Sequence, residues 1–349
     1  MIPVFRCGRR RACHSHGQVR ATSTARRAGL SEASGQPVVF AAADVGSNAT
    51  KVLVWEMGAG GAPRERFQKR FAMRLSDAFR AGRIEPDSIR RLIEIFAEIA
   101  DVCREHGARP VRAVATDALR SAANAREVAE AIALETGIDL QVISSRKEAE
   151  LVAKGVLLDY LAGSGNLAIL DIGGGSAQIT IAGLGGGRES AAGKAVSLCT
   201  ASLPLGAVRL REMFMRSDPM ASAEYEAMRG HVEQATVRGT VGLKGPWQSG
   251  AVGCGGGVRF LHTMCGVDGG IAAQDQPARA DQIEHLCDAI WHMPIEAMIR
   301  HYGIDRERAE IIVPGAVVLL ALMKRLKLTE MRPSRRGVRD GLLAEFLKG

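Results

Sequence analysis

Two short stretches of the chain hold the residues best suited to chemistry on phosphate. In Leu167–Ala182 (LAILDIGGGSAQITIA), an apolar run ends at Asp171, three glycines and a serine follow (Gly173, Gly174, Gly175, Ser176), and an apolar alternation resumes. Val38–Trp55 (VVFAAADVGSNATKVLVW) has the same plan around Asp44, Gly46, Ser47 and Asn48. Each reads as strand, tight turn and returning strand. Glycines let a backbone turn with its N–H groups exposed, and without side chains they let an anion come close. An acid just before such a turn can hold a divalent cation against that anion. One copy alone is a plain hairpin; two copies read as similar halves facing each other across a phosphate cleft.

Three further positions could take part. Thr116–Arg120 sits at the C-terminal end of an apolar strand, Val111–Ala115, where open α/β sheets meet their ligands. Arg120 there is either a solvated helix residue or a bidentate phosphate ligand. Ser145–Leu158 reads as a helix with Glu148 and Glu150 in its first turns. Those acids either complement the helix dipole or supply a general base toward water. Ala251–Met264 reads as a third strand, glycine loop and helix, and Gly253, Gly255, Gly256 and Gly257 form an anion seat at a helix N-terminus.

The intervening chain supplies the supports. Helical spacing begins at Pro86 and stops near Gly107, and helices are also expected at 124–136, 217–238, 281–299, 310–326 and 337–346. Further strands are expected at 64–75, at 140–143 and at the start of 195–210. With 349 residues, 46% of them hydrophobic, the chain can bury a substantial core, in two domains. The formal charge of +8 sits mainly in residues 1–36, where seven arginines face the single acid Glu32. That segment reads as a disordered basic extension, so nucleic acid is not an expected partner. Seven scattered cysteines read as reduced, mostly buried thiols of a cytoplasmic protein. The longest apolar run, Ile311–Met323, is interrupted by Pro314-Gly315 and too short to span a membrane.

Taken together, AAADVGSNATKVLVW, AVATDALRSAANA, VISSRKEAELVAKGV, LAILDIGGGSAQITI, SLPLGAVRL, AVGCGGGVRFL, IIVPGAVVLLALM and RRGVRDGLL resemble the exopolyphosphatase / guanosine pentaphosphate phosphohydrolase (Ppx/GppA) family in its short, two-domain form. The resemblance implies an α/β fold of two ribonuclease-H-like domains, as in actin, sugar kinases and Hsp70, with a cleft between them. The domains would span residues 37–160 and 161–331, with a C-terminal helix at about 332–349 packing back on the first. It further implies Glu148 as catalytic glutamate, Arg120 as the phosphate-binding arginine, and Mg²⁺, with Mn²⁺ as a substitute, at Asp171, Asp44 and position 178. There the family usually has glutamate and this chain has Gln178, an amide that keeps an oxygen acceptor but loses a charge. Two other departures are Arg74–Phe79, which lacks the family's glycine, and Glu150, which stands where many members carry arginine and would raise the pKa of its neighbour Glu148. Homodimers are common among members.

The function this implies is metal-dependent release of terminal phosphate from inorganic polyphosphate or guanosine pentaphosphate (pppGpp). The alternative is a protein that binds either ligand as a sensor, its catalysis weakened by Gln178. A kinase on the same fold is a third reading.

Overall fold

The apolar alternations at the two hairpins form the centres of two sheets. The computed structural model describes residues 37–57, 63–75, 79–80, 82–159, 165–184, 195–243, 245–247, 250–269 and 276–347. The basic segment 1–36, with Cys7 and Cys13, lies outside the described residues.

The first sheet has five strands: β1 (Val38–Val45), β2 (Ala49–Met57), β3 (Arg64–Ala72), β6 (Val111–Ala115) and β7 (Leu140–Val142), in the order β3-β2-β1-β6-β7. A small ribbon of β4 (Phe79–Arg80) and β5 (Arg83–Ile84) follows β3. Helices α1 (Pro86–Glu105), α2 (Asp117–Ser121) and α3 (Ala125–Thr136) link the later strands. Next come α4 (Ser145–Val156) and the second sheet, made of β8 (Gly165–Ile172), β9 (Ala177–Leu184), β10 (Ala195–Leu203), β11 (Ala251–Cys254), β12 (Ala278–Arg279) and β13 (Glu330–Pro333). Its order is β10-β9-β8-β11-β13-β12. In both sheets the first two pairings are antiparallel, and the strand on the other side of the central one, β6 or β11, runs parallel to it. This duplicated order is that of the ribonuclease-H-like fold.

Helices α5 (Ala207–Phe214), α6 (Ser222–Gly239), α7 (Gly256–Gly269), α8 (Ala280–Ile290), α9 (Ile295–Tyr302) and α10 (Arg306–Leu326) surround the second sheet, and α11 (Val338–Phe346) closes the chain. Apolar side chains collect in three places. One core joins the first sheet to α1 and α3, through residues such as Ile95, Phe96 and Ile132. A second joins the other sheet to α6, α7, α8 and α10. The third lies between the sheets, where Phe40, Leu53 and Val114 meet Leu167 and Ile169 around α4 and α11.

Several expected boundaries move for local reasons. The helix expected over 281–299 is two helices, because Pro294 lacks an N–H and disfavours helical backbone at Met293. Residues 217–221 precede α6 instead of opening it, and Glu224 reaches back to accept from the Ala221 N–H. Helix α10 starts at Arg306, earlier than expected, because Asp305 caps it by accepting from the Arg308 N–H at 2.9 Å. It also runs through Pro314. Among the described cysteines four are buried, but Cys199 is exposed. Among the described residues no helix is long and apolar enough to cross a membrane.

The contact of α4 with α11 depends on glycines at close approach. A Cβ on Gly341 would sit 2.0 Å from the Leu151 carbonyl oxygen, and one on Gly155 would sit 2.5 Å from that of Gly337. Lys147 and Lys154 then both reach Glu345 on α11. Gly341→Ala is expected to cost about 1–3 kcal/mol in urea unfolding, because backbone and not a pliable side chain blocks the methyl group. Gly230→Ala, in α6 and facing open space, should be neutral or stabilising by up to about 1 kcal/mol. Equal effects at the two sites would contradict this account of the packing.

Candidate active site

The two hairpins have the same construction. Each turn has four residues: Gly46 N–H donates to Ala49 C=O at 3.1 Å, and Gly173 N–H donates to Ser176 C=O at 2.9 Å. The acids therefore occupy equivalent positions, Asp44 across from Lys51 and Asp171 across from Gln178. The turns face each other closely enough that a Cβ on Gly174 would lie 3.1 Å from the Ser47 Cβ.

Glycine is required in the second turn by this crowding and not by left-handed backbone, since none of Gly173, Gly174 and Gly175 has positive φ. A Cβ on Gly175 would sit 1.6 Å from an Asp117 carboxylate oxygen. Gly206 is equally constrained, because a Cβ there would meet the Gly174 carbonyl at 2.2 Å. Its absence lets the first turn of α5 reach the loop. Ala207 N–H donates to Gly173 C=O at 3.0 Å and Val208 N–H to Gly174 C=O at 2.9 Å, while Arg209 Nε donates to Gly175 C=O at 3.0 Å. With those carbonyls engaged on the α5 side, the loop's remaining N–H groups are available to an anion. In the third loop Gly255 does have positive φ, 91°, as it turns β11 into α7.

The three loops line one cleft of about 470 Å³. Of the residues expected from sequence, Asp44, Gly46, Ser47, Asn48, Glu148, Asp171, Gly173, Gly174, Gly175, Ser176, Gly255 and Gly256 all line it. Arg120 and Gln178 do not. Arg120 stands behind Glu148, its Nη1 donating to Glu148 Oε2 at 3.1 Å and to Ile143 C=O at 3.0 Å, with Nη2 3.4 Å from Asp117 Oδ1. Its side chain is 22% exposed, and its hydrogen bonds go to Glu148, Ile143 and Asp117, so in this structure it holds the glutamate. Gln178 is buried beside Asp171 in the cross-strand position.

Burial raises the Glu148 carboxyl to about 7, Asp171 and Asp44 adding to the rise while Arg120 opposes it. Burial likewise lifts Asp171 to about 6, against the pull of Lys51 and with a push from Asp44. Asp44 is raised by burial too, and Lys51 is lowered by it. Glu150 is not among the main influences on Glu148, and its carboxylate pairs with Arg146 at 3.0 Å. A metal fits this floor in a specific way. Asp44 Oδ1 and Gln178 Oε1 are buried without a hydrogen-bond partner. Among the described residues no three His, Cys, Asp or Glu side chains form a complete metal cage. That donor set suits Mg²⁺, which takes one or two carboxylates and completes its shell with water and phosphate oxygens.

Sequence reasoning missed Lys51, Asp117 and the arginines. Lys51 becomes visible once the hairpins are aligned, since it mirrors Gln178. Asp117 joins Arg120 to Arg209, the latter also at 3.4 Å. Arg259, Arg308 and Arg339 line the cleft near one another. Burial, then Arg335, Arg308 and Arg339 in turn, lowers the Arg259 pKa, the sign of a crowded cationic wall. Such a wall favours a polyanion.

Fold and cleft together define a duplicated ribonuclease-H-like frame with two glycine turns and three buried acids at one site. The chain belongs to the Ppx/GppA phosphatase family, whose model matches residues 55–349, starting just after the first glycine turn. The hydrolase class expected from the sequence is the class of this family. It is 28% identical over 308 residues to Exopolyphosphatase 1 of Mycobacterium tuberculosis, covering 87% of each chain. It is 26% identical to the guanosine-5'-triphosphate,3'-diphosphate pyrophosphatase of Vibrio vulnificus, covering 91% of this chain and 61% of that one. Among solved structures, an exopolyphosphatase from Cytophaga hutchinsonii shares the fold with a TM-score of 0.77 at 20% identity, covering 89% of this chain and 98% of the other.

The raised carboxyls have a thermodynamic consequence. A carboxyl with a folded pKa above its unfolded value of about 4 holds its proton more tightly when folded. Its stabilisation is complete below pH 4 and disappears as pH rises through about 6 for Asp171 and about 7 for Glu148. In EDTA, the melting temperature should therefore drop between pH 5 and pH 8, and Asp171→Asn should flatten that drop. An undiminished pH dependence in Asp171→Asn would contradict the buried-acid assignment.

Proposed function

We propose that the protein is a Mg²⁺-dependent phosphohydrolase that removes the terminal phosphate from inorganic polyphosphate, with pppGpp as the competing substrate. The observation that carries this is the setting of Glu148. It is held by Arg120 at the floor of a cleft bounded by two opposed glycine turns. Names of relatives support both substrates. The crowded arginines support the longer polyanion.

Glu148 has one oxygen engaged by Arg120; among the described residues Oε1 has no hydrogen-bond partner. That oxygen is the acceptor for a water proton, and a carboxylate titrating near 7 is matched to the task. Water oxygen bonds to the terminal phosphorus, the bridging P–O bond breaks, and its electron pair leaves on the shortened chain. Free N–H groups of the glycine turns hold the equatorial oxygens. A Mg²⁺ held by Asp171 and Asp44, which line the cleft, would neutralise charge building on the phosphoryl group, with Gln178 buried beside Asp171. Lys51 partly offsets the negative charge of the two aspartates in its absence.

Phosphate release should be measured with long-chain polyphosphate, pppGpp and ATP in parallel. Glu148→Gln is expected to reduce kcat about 10²–10⁴-fold. It should also remove the acidic limb, which falls below about pH 7 in the wild type. Tight binding of polyphosphate or pppGpp with no release from any substrate would favour a sensor. ATP-dependent phosphorylation of an acceptor would favour a kinase.

A further inference from the structure

Glu310, on α10, stands between two arginines from different elements, Arg74 after β3 and Arg211 on α5. Arg74 Nη1 donates to Glu310 Oε2 at 2.5 Å, and Arg211 Nη2 lies 3.8 Å from the same oxygen. Arg74 lies just beyond β3, and its other nitrogens are also engaged. Nε donates to Asn48 Oδ1 at 3.2 Å, inside the first glycine turn, and Nη2 donates to Glu307 C=O at 2.9 Å on α10. Arg211 belongs to α5, whose first turn binds the carbonyls of Gly173 and Gly174 in the second glycine turn. Contacts thus run from Asn48 through Arg74 and Glu310 to Arg211, which is 37% exposed, and helix α5 itself carries the link from Arg211 to the Ala207 and Val208 N–H groups that bind Gly173 and Gly174.

Exposed ion pairs contribute little, because water screens them and two long side chains lose freedom. The Arg74–Glu310 pair is different: its side chains are only 12% and 16% exposed, and the arginine binds three separate groups. Arg70 reinforces the same crossing by pairing with Glu307 at 2.5 Å. The turns it connects have little slack, since a methyl group on Gly174 would already press on Ser47. A small relative shift of α10 would therefore change the gap into which a phosphoryl group must fit. A misplacement of about 1 Å at a reacting group can cost about 10²-fold in rate.

We propose that Arg74, Glu310 and Arg211 form a positioning clasp that sets the distance between the glycine turns 46–49 and 173–176. None of the three is a catalytic residue. Their action is on Asn48 and on the α5 turn, and through these on the alignment of the terminal phosphoryl group with Glu148. Only the kinetic part of its test rests on the phosphohydrolase reading.

The test combines Glu310→Gln, Arg74→Lys and the double variant. Amide hydrogen exchange is followed in peptides covering 46–49 and 173–176 of the free protein, and kcat and KM are measured for polyphosphate. Ile132→Val, in the core between the first sheet and α3 and apart from both the clasp and α4, serves as a destabilised comparator. The clasp predicts faster exchange in both turns for each single variant and a loss in kcat of about tenfold with a smaller change in KM. It also predicts a double variant no worse than the poorer single, as expected of groups acting as one unit. Unchanged exchange in both turns, fully additive losses, or an equal kcat loss in Ile132→Val would overturn it. A wild-type protein that releases no phosphate would sink the hydrolase reading and leave the clasp to be judged on exchange alone.

Discussion

Everything in this molecule turns on keeping Asp44, Asp171 and Glu148 near one another in a place largely withdrawn from water. Burial is the largest influence on all three, and each aspartate also presses on Glu148. A cluster like this destabilises its own charged form, so it persists only where the surrounding fold enforces it. What relieves it is cationic: Lys51 within, Arg120 behind the glutamate, and a divalent ion in the proposed reaction.

Duplication supplies the enforcement. Equivalent four-residue turns place the acids at equivalent points on the central strands of the two sheets. The third core fastens the sheets together through α4, and Glu148 rides on that same helix. Ser144 caps α4 by accepting from the Lys147 N–H at 3.2 Å, so the helix start that presents Glu148 is locally fixed. The same packing that joins the sheets thereby brings Glu148, the general base of the proposed reaction, to the acids.

Much of this was legible in the chain itself. Asp-x-Gly repeated at two hairpins disclosed the halves and the turns, since a strand's period and a turn's residue types are local properties. The residues flanking Ser145 likewise announced α4. What could not be read depends on approach between distant segments. The role of Gly175 is set by Asp117, and that of Gly206 by the Gly174 carbonyl. Both are contacts of high sequence separation. For Arg120 the sequence left open a phosphate ligand or a solvated helix residue, and its hydrogen bonds to Glu148 and Ile143 depend on packing between distant segments. The break at Pro294 was available locally and was outweighed by the apolar period on either side of it.

The central claim is that one cleft holds a terminal phosphoryl group between the two glycine turns, with Glu148 facing a water molecule. A crystal structure with Mg²⁺ and imidodiphosphate-linked tripolyphosphate, which resists hydrolysis, tests it most directly. The account predicts a terminal phosphate bound by N–H groups of residues 46–49 and 173–176. It also predicts a water within about 3 Å of Glu148 Oε1, in line with the scissile bond. A terminal phosphate seated elsewhere, or Glu148 bound to the metal with no water in line, would contradict it.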